Sequence, residues 1–368
     1  MPDNLNILIC PLDWGLGHAT RCVPIIRQLM TSQCRVFIAG HGRSLDFLKT
    51  EFPECQFINL PSYRFLYSSK GSMALAMLLS SPLILYGIFN EYLALKRIIK
   101  KYNIHGLISD NRFGLWNKSI PCVYMTHQVR IKTNSNLSFL EHILFKIHKY
   151  FIKKYDFLWI PDYETEPSLA GELSHHFDES IQRHYIGPLS RFAGSEKDNE
   201  INESDRIEIL AIVSGPEPQR SIFETMITEQ ASGIQEKIIL LQGIPGKNME
   251  PVVKGNLTIY AHVESNRLKN MIINAGIVLC RPGYSSVMDL AVMGKKAFFV
   301  PTPGQTEQEY LAKIFQRQEI ANFLPQQNLK LADVINKSSA FKGFSGFQYT
   351  SGVKRAVEQF VDYICKQK

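Results

Sequence analysis

Short, largely apolar runs recur along the chain at residues 6–10, 35–39, 106–109, 122–125, 157–160, 184–186, 208–213, 237–242, 257–260, 277–280 and 297–300. Their length is that of buried strands, and parallel strands covered on both faces read as continuous apolar runs. Between them lie helical stripes, such as Val23, Ile25, Ile26 and Leu29 after the first run, and an amphipathic segment at 351–365. Strand and helix in alternation predict an α/β chain with parallel sheets. The rhythm lapses once, at GSEKDNEINESD (residues 194–205), which is charged and poor in apolar residues and reads as a linker. The expected organisation is residues 1–192, a linker at 193–206, a second α/β domain at 207–350, and a helix at 351–368 that packs back on the first domain. A chain of 368 residues is long enough for two such cores.

Residues 277–310, IVLCRPGYSSVMDLAVMGKKAFFVPTPGQTEQEY, organise the second half. Arg281-Pro282-Gly283 breaks the strand, and a helix is expected from about Ser285 to Met293, closed near Gly294. A helix start beside a small-residue turn favours an anion such as a diphosphate, because free N–H groups and the positive dipole end converge there. The next strand ends in Pro301-Thr302-Pro303-Gly304-Gln305, followed by Gln308 and Glu309. Two strand ends with polar loops on one sheet edge mark the usual ligand edge. The blander role for Gln308 and Glu309 is to solubilise a helix start.

Composition narrows the class. With 45% hydrophobic and 20% charged residues the chain is globular, and its seven cysteines contain no C-x-x-C pair for a disulfide framework or zinc site. A reducing cytoplasm fits, and the amino terminus does not read as a signal peptide. The net charge of +7 is concentrated: residues 70–155 hold thirteen Lys and Arg against three acids, so the remainder is slightly acidic. A basic region of this kind points to an anionic partner, nucleic acid or a phospholipid surface. Residues 73–89 are largely apolar, but Ser80-Ser81-Pro82 interrupts them, which argues against a membrane span. A core helix and a helix lying on a bilayer surface remain. Lys96, Arg97, Lys100 and Lys101 behind that stretch favour the surface, as does residues 137–154, where apolar residues in helical spacing alternate with lysines.

Candidate chemistry in the first half gathers at strand ends. The first run leads into Gly15-Leu16-Gly17-His18-Ala19-Thr20-Arg21, a glycine loop without the third glycine of a dinucleotide fingerprint or the Gly-Lys of a P-loop. Neither a nicotinamide cofactor nor ATP is indicated. Asp110-Asn111-Arg112 and Thr126-His127-Gln128 follow two further strands, so Asp110 and His127 are expected at the edge that carries His18. A helix cap for Asp110 and a structural histidine for His127 are equally open.

Together these features resemble the GT-B glycosyltransferases, two Rossmann-like domains with parallel sheets facing across a cleft. Among them the chain is most similar to the family 28-like relatives of the lipid-linked N-acetylglucosaminyltransferase of peptidoglycan synthesis. Gly15-Leu16-Gly17-His18 resembles a shortened G-x-x-G-G-H loop, with Gly15, Gly17 and Thr20 on the acceptor side. The resemblance implies His18 as catalytic base, with Asp110 or His127 assisting or substituting. Gly187-Pro188-Leu189-Ser190-Arg191 resembles the family's junction segment, so Arg191 inherits its approach to the donor diphosphate. Ser214, Gly215 and Arg220 stand where the family has its glycine-rich loop. The helix-start segment Arg281, Gly283, Tyr284, Ser285 and Ser286 completes the donor side. Asp289 falls where an acid holds the ribose, and Gln308-Glu309 where a Gln-Gln pair reads the sugar. Glu309 loses an amide donor there, since a carboxylate only accepts.

The implied activity is inverting, metal-independent transfer from a UDP-sugar, the co-substrate, to an unidentified lipid-linked or cell-envelope acceptor, with no cofactor and no D-x-D metal motif. The enzyme is expected in the cytoplasm, peripheral on the inner membrane face. Gly15 to Cys22 also resembles the G-x-G-H-x-x-R-C loop of a UDP-sugar hydrolase of the same fold, and a UDP-sugar 2-epimerase shares that fold. The alternative of another class is a non-enzymatic membrane or nucleic-acid binder. Lysines flanking apolar helices favour the bilayer over nucleic acid, which prefers exposed aromatics or arginine-rich segments.

Overall fold

The structure, a computed structural model, describes residues 5–61, 81–133, 139–175, 182–194, 206–244, 250–347 and 351–367. The chain divides into two compact units, residues 1–191 with 350–368, and residues 192–349. Of the expected linker, residues 195–205 lie outside the described residues, as do residues 73–80 of the apolar stretch.

The first unit is built on a seven-stranded sheet of β1 (Asn6–Pro11), β2 (Arg35–Gly40), β3 (Gln56–Asn59), β4 (Gly106–Asp110), β5 (Cys122–Met125), β6 (Phe157–Ile160) and β7 (Arg183–Tyr185). Their order is β3-β2-β1-β4-β5-β6-β7 and every pairing is parallel. Its described helices are α1 (Leu16–Thr31), α2 (Gly42–Glu51), α3 (Ser81–Tyr102), α4 (Phe139–Ile152) and α10 (Val353–Gln367), numbered in chain order. On one face Leu95 and Ile98 of α3 and Ile152 of α4 pack with Leu8, Leu107, Tyr124 and Leu158. On the other, Phe360 of α10 meets Trp159 edge-on at 5.9 Å. Gly106 lets that helix pack closely, because a Cβ there would lie 2.5 Å from Ile364 Cδ1 and 2.9 Å from Phe360 Cζ and force those side chains to shift.

The second unit repeats the plan with β8 (Ile207–Ile212), α5 (Gln219–Ala231), β9 (Ile238–Leu241), β10 (Val252–Lys254), β11 (Leu257–Tyr260), α6 (Ser265–Asn274), β12 (Ala275–Cys280), α7 (Tyr284–Met293), β13 (Ala297–Phe299), α8 (Thr306–Arg317), β14 (Asn322–Phe323) and α9 (Leu331–Ser338). The order is β10-β11-β9-β8-β12-β13-β14, parallel except for β10 against β11. Both orders reverse direction about a central pair, β1/β4 and β8/β12. Loops at the carboxyl ends of such a pair diverge and leave a crevice, the usual ligand position in open α/β sheets.

Candidate active site

The register at the first reversal point explains which residues meet. Asp110, the last residue of β4, stands beside Pro11 of β1 and Met125 of β5. The chain leaving Pro11 enters α1 with His18 in its first turn, and the chain leaving Met125 reaches His127 two residues later. His18 and Arg21, three apart on one helix face, both turn to Asp110. His18 Nδ1 lies 3.0 Å from Asp110 Oδ2 and Arg21 Nε donates to the same oxygen at 2.9 Å. Arg21 Nη2 donates to Asp110 Oδ1 and sits 2.9 Å from His18 Nδ1, while Nη1 lies 3.1 Å from His127 Nδ1. The three expected residues are thus brought together, and Arg21 is the hub that joins them.

Asp110 is fully buried and Arg21 nearly so, whereas the His18 side chain keeps 20% of its exposure. Burial alone would raise the Asp110 carboxyl, but Arg21 and His18 outweigh it and hold it below its ordinary value. Burial, and then the Arg21 charge, push the His18 imidazole below 6.5 against the pull of Asp110. A carboxylate accepting from Nδ1–H leaves Nε2 of a neutral imidazole as a lone-pair base, the arrangement that general-base catalysis needs. The neighbouring expectations resolve into local roles. Thr20 Oγ1 donates to Gly17 O at 3.0 Å, and Gly15 O accepts from Ser44 Oγ at 3.1 Å, fixing the loop.

Arg112, expected at this edge, is turned away from it. Its Nε donates to Glu91 Oε1 at 2.9 Å, and its Nη1 and Nη2 donate to the carbonyls of Leu60 and Pro61. Glu91 Oε2 also accepts the Gly114 N–H at 3.1 Å, so the buried pair ties α3 to the loop after β4. His148 of α4 supports the other side of the site. Its Nδ1 lies 3.1 Å from Val129 O and its Nε2 3.1 Å from Tyr124 Oη, and burial pushes its imidazole down to about 4.

At the second reversal point, Cys280 of β12 is flanked by Ile212 of β8 and Phe299 of β13. Three loops therefore leave the sheet side by side. Helix α7 starts at Gly283 with no side-chain cap and ends at Gly294 in the left-handed conformation (φ 64°). A Cβ on Gly283 would meet nothing within 4 Å, so the backbone of this turn faces open space. Ser214 is exposed, Gly215 takes φ 111°, and Ser285, Ser286 and Asp289 are part-exposed along the first turns of α7.

Other donor-side expectations are placed differently. Arg281 is buried: Nη1 donates to Val300 O (2.8 Å) and Pro301 O (3.1 Å), Nη2 to Gln219 O and Gln326 Oε1, and the guanidinium lies 4.3 Å over the Phe223 ring. A guanidinium offers only donors, and those bonds staple the three loops together. The Tyr284 ring is core, which leaves its backbone N–H as its means of meeting an anion. Arg220 bridges Glu217 (2.5 Å) and Glu224 (2.7 Å). Gln308 Oε1 accepts the Thr302 N–H at 2.8 Å and Glu309 Oε1 the Gly304 N–H at 3.2 Å, so both side chains brace the 301–305 loop. Arg191 lies in the first unit with its guanidinium 5.6 Å over the Phe47 ring.

The comparisons with known proteins fit this geometry. Residues 220–363 match the glycosyltransferase family 28 C-terminal domain. The chain is 25% identical over 162 residues to a UDP-N-acetylglucosamine--N-acetylmuramyl-(pentapeptide) pyrophosphoryl-undecaprenol N-acetylglucosamine transferase of Sulfurihydrogenibium, covering 41% of this chain and 45% of that enzyme. It thus spans less than half of that relative. The Pasteurella multocida enzyme of the same name is 24% identical over 299 residues, covering 78% of this chain and 74% of its own. The crystal structure of Acinetobacter baumannii MurG superposes with a TM-score of 0.55 at 13% identity, covering 99% of this chain and 100% of its own. The fold is GT-B. The family 28 match takes in the uncapped α7 start, Asp289, Gln308 and Glu309, and begins just after the loop at Ser214 and Gly215.

Proposed function

We propose that this protein is an inverting glycosyltransferase that takes a sugar from a UDP-linked donor and gives it to a hydroxyl of a lipid-linked or cell-envelope acceptor. The observation that carries the reading is the buried Asp110 carboxylate against His18 Nδ1, on a chain whose residues 220–363 match the family 28 C-terminal domain. The second unit binds the donor. The N–H groups at the start of α7 meet the diphosphate, and Asp289, one turn in, receives the ribose hydroxyls. His18 Nε2 removes the proton of the acceptor hydroxyl as its oxygen attacks the anomeric carbon from the face opposite the diphosphate. The C–O bond to the diphosphate breaks and its electron pair leaves on UDP, where the helix start stabilises the new charge. The N–H donors fixed at that helix start supply the stabilisation without a metal ion.

Thermal stabilisation by UDP, with smaller shifts for ADP and GDP, supports the donor class, because a ligand of the folded state raises its stability by mass action. No shift with any nucleotide refutes it.

The acceptor side extends to a membrane surface. Tyr86 (67% exposed) and Phe89 (58%) of α3 and Ile147 (51%) and Tyr150 (59%) of α4 point outwards, with Lys96 and Lys154 among them. Trp116, in the loop after β4, lies tilted against Tyr92 of α3 at 4.9 Å and 5.3 Å under Lys154, which follows α4. Exposed apolar residues edged by lysines suit an anionic bilayer. No helix among the described residues is long and apolar enough to cross a membrane. Flotation with anionic but not neutral liposomes is expected, and Phe89→Asp with Ile147→Asp should abolish it. Equal flotation with both lipids, or none, removes this part of the reading.

A further inference from the structure

Two histidines face one guanidinium at the first reversal point, and their chemistry need not be the same. A guanidinium has five N–H donors and no acceptor, so the nitrogen that Arg21 Nη1 approaches, His127 Nδ1 at 3.1 Å, meets it as a lone pair. The proton of neutral His127 then sits on Nε2. His18 is in the opposite position. Its Nδ1 touches both a pure acceptor, Asp110 Oδ2 at 3.0 Å, and a donor, Arg21 Nη2 at 2.9 Å. Arg21 Nη2 has two hydrogens, one of which serves Asp110 Oδ1; a lone pair on His18 Nδ1 could take the second but would repel the charged Asp110 Oδ2 at 3.0 Å, whereas Nδ1–H donates to that full negative charge. The proton of His18 therefore sits on Nδ1.

We propose that Arg21 is a positioning residue that gives the two histidines opposite tautomers, so that His18 presents a lone pair and His127 presents an N–H to the bound substrate. It does so by two contacts at once, holding Asp110 as the acceptor for His18 while donating directly to His127. The assignment deepens the transferase reading, on which the roles rest, but the tautomers themselves do not depend on it. In turnover His18 Nε2 takes the hydroxyl proton and becomes imidazolium, its new charge balanced by Asp110. His127 stays neutral and gives a hydrogen bond through Nε2–H to an oxygen of the substrate, without releasing its proton. A lysine at position 21 keeps the positive charge but cannot reach three groups in a plane.

The test is spectroscopic first. In 15N-histidine-labelled protein at neutral pH, long-range 1H–15N correlations distinguish Nδ1–H from Nε2–H, and the variants His18→Asn and His127→Gln assign the two rings among the ten histidines. Wild type is expected to show His18 protonated on Nδ1 and His127 on Nε2. Arg21→Lys should retain its fold by melting temperature yet leave His127 in a mixture of tautomers. Protonation of His127 on Nδ1 in the wild type, or unchanged tautomers in Arg21→Lys, overturns the proposal. Kinetics then test the roles. UDP release should survive His127→Gln, which keeps an N–H donor, within about tenfold, while His127→Phe, His18→Gln and Arg21→Lys each lose about a hundredfold or more in kcat. Equal losses for His127→Gln and His127→Phe refute the donor role. A wild-type protein that releases no UDP from any donor, with the tautomers as assigned, refutes the transferase reading alone.

Discussion

Acidification should weaken the first unit through His148 in a way that a single substitution removes. The imidazole is held neutral between the Val129 carbonyl and Tyr124 Oη, 3.1 Å from each, and burial takes it down to about 4. In the unfolded chain it titrates near the ordinary value of 6.5. Because the folded value is the lower one, the unfolded state binds the extra proton, and the stability this group contributes is complete above 6.5 and lost as the pH falls. At pH 5 the loss is about 2 kcal/mol, from a gap of about 1.5 pH units at about 1.4 kcal/mol each, and it grows to about 3 kcal/mol near pH 4. His148→Gln can donate to Val129 O and accept from Tyr124 without titrating. It also loses the edge contact of the imidazole with the Phe113 ring, 5.4 Å away, for an offset of about 1 kcal/mol that does not vary with pH.

The assay is urea unfolding of both proteins at pH 7.5 and pH 5, followed by tryptophan fluorescence. All three tryptophans, Trp14, Trp116 and Trp159, lie in the first unit, so the signal reports that unit even where the two do not unfold together. Other groups titrate alike in the two proteins and cancel in the difference. Wild type should lead at pH 7.5 and fall behind the variant at pH 5. A wild-type lead that is the same at both pH values refutes the assignment of a neutral, buried His148.

Two further outcomes follow from other buried groups. Arg112→Leu strands the Glu91 carboxyl without its guanidinium and should cost about 3–5 kcal/mol, with the double change Glu91→Gln, Arg112→Leu recovering part of it. Thermal unfolding reads this, and equal destabilisation by the single and double variants contradicts it. The rate of UDP release should be flat above 6.5 and fall on the acid side of it, because His18 must be neutral to act and its environment lowers its value. An acid limb centred above 6.5 excludes His18 as the base.

What the sequence made legible was periodicity, and what it hid was direction. Apolar runs placed the strand ends, and the glycine loop with His18, Asp110 and His127 could be assigned to one edge because each follows such a run. Strands β3, β10 and β14 escaped because none is a long apolar run: β14 has two residues, and β10 is exposed throughout. Charged residues were harder still. Arg21, Arg112 and Arg281 each sit beside candidate chemistry in the sequence, yet one joins His18, Asp110 and His127, one braces α3 through Glu91, and one staples three loops of the second unit. Nothing in a linear pattern separates these fates, since each depends on which carbonyls and carboxylates the fold brings within 3 Å. One cue did exist for Arg21. It lies among Ala19, Cys22 and Val23 on the stripe that α1 buries, and an arginine inside an apolar stripe is rarely there without a partner. Gln308 and Glu309 were equally hidden in direction, since the Oε1 atom of each accepts a backbone N–H of its own loop. If they read the sugar, they do so from side chains anchored to the 301–305 backbone, so donor recognition depends on the order of that loop.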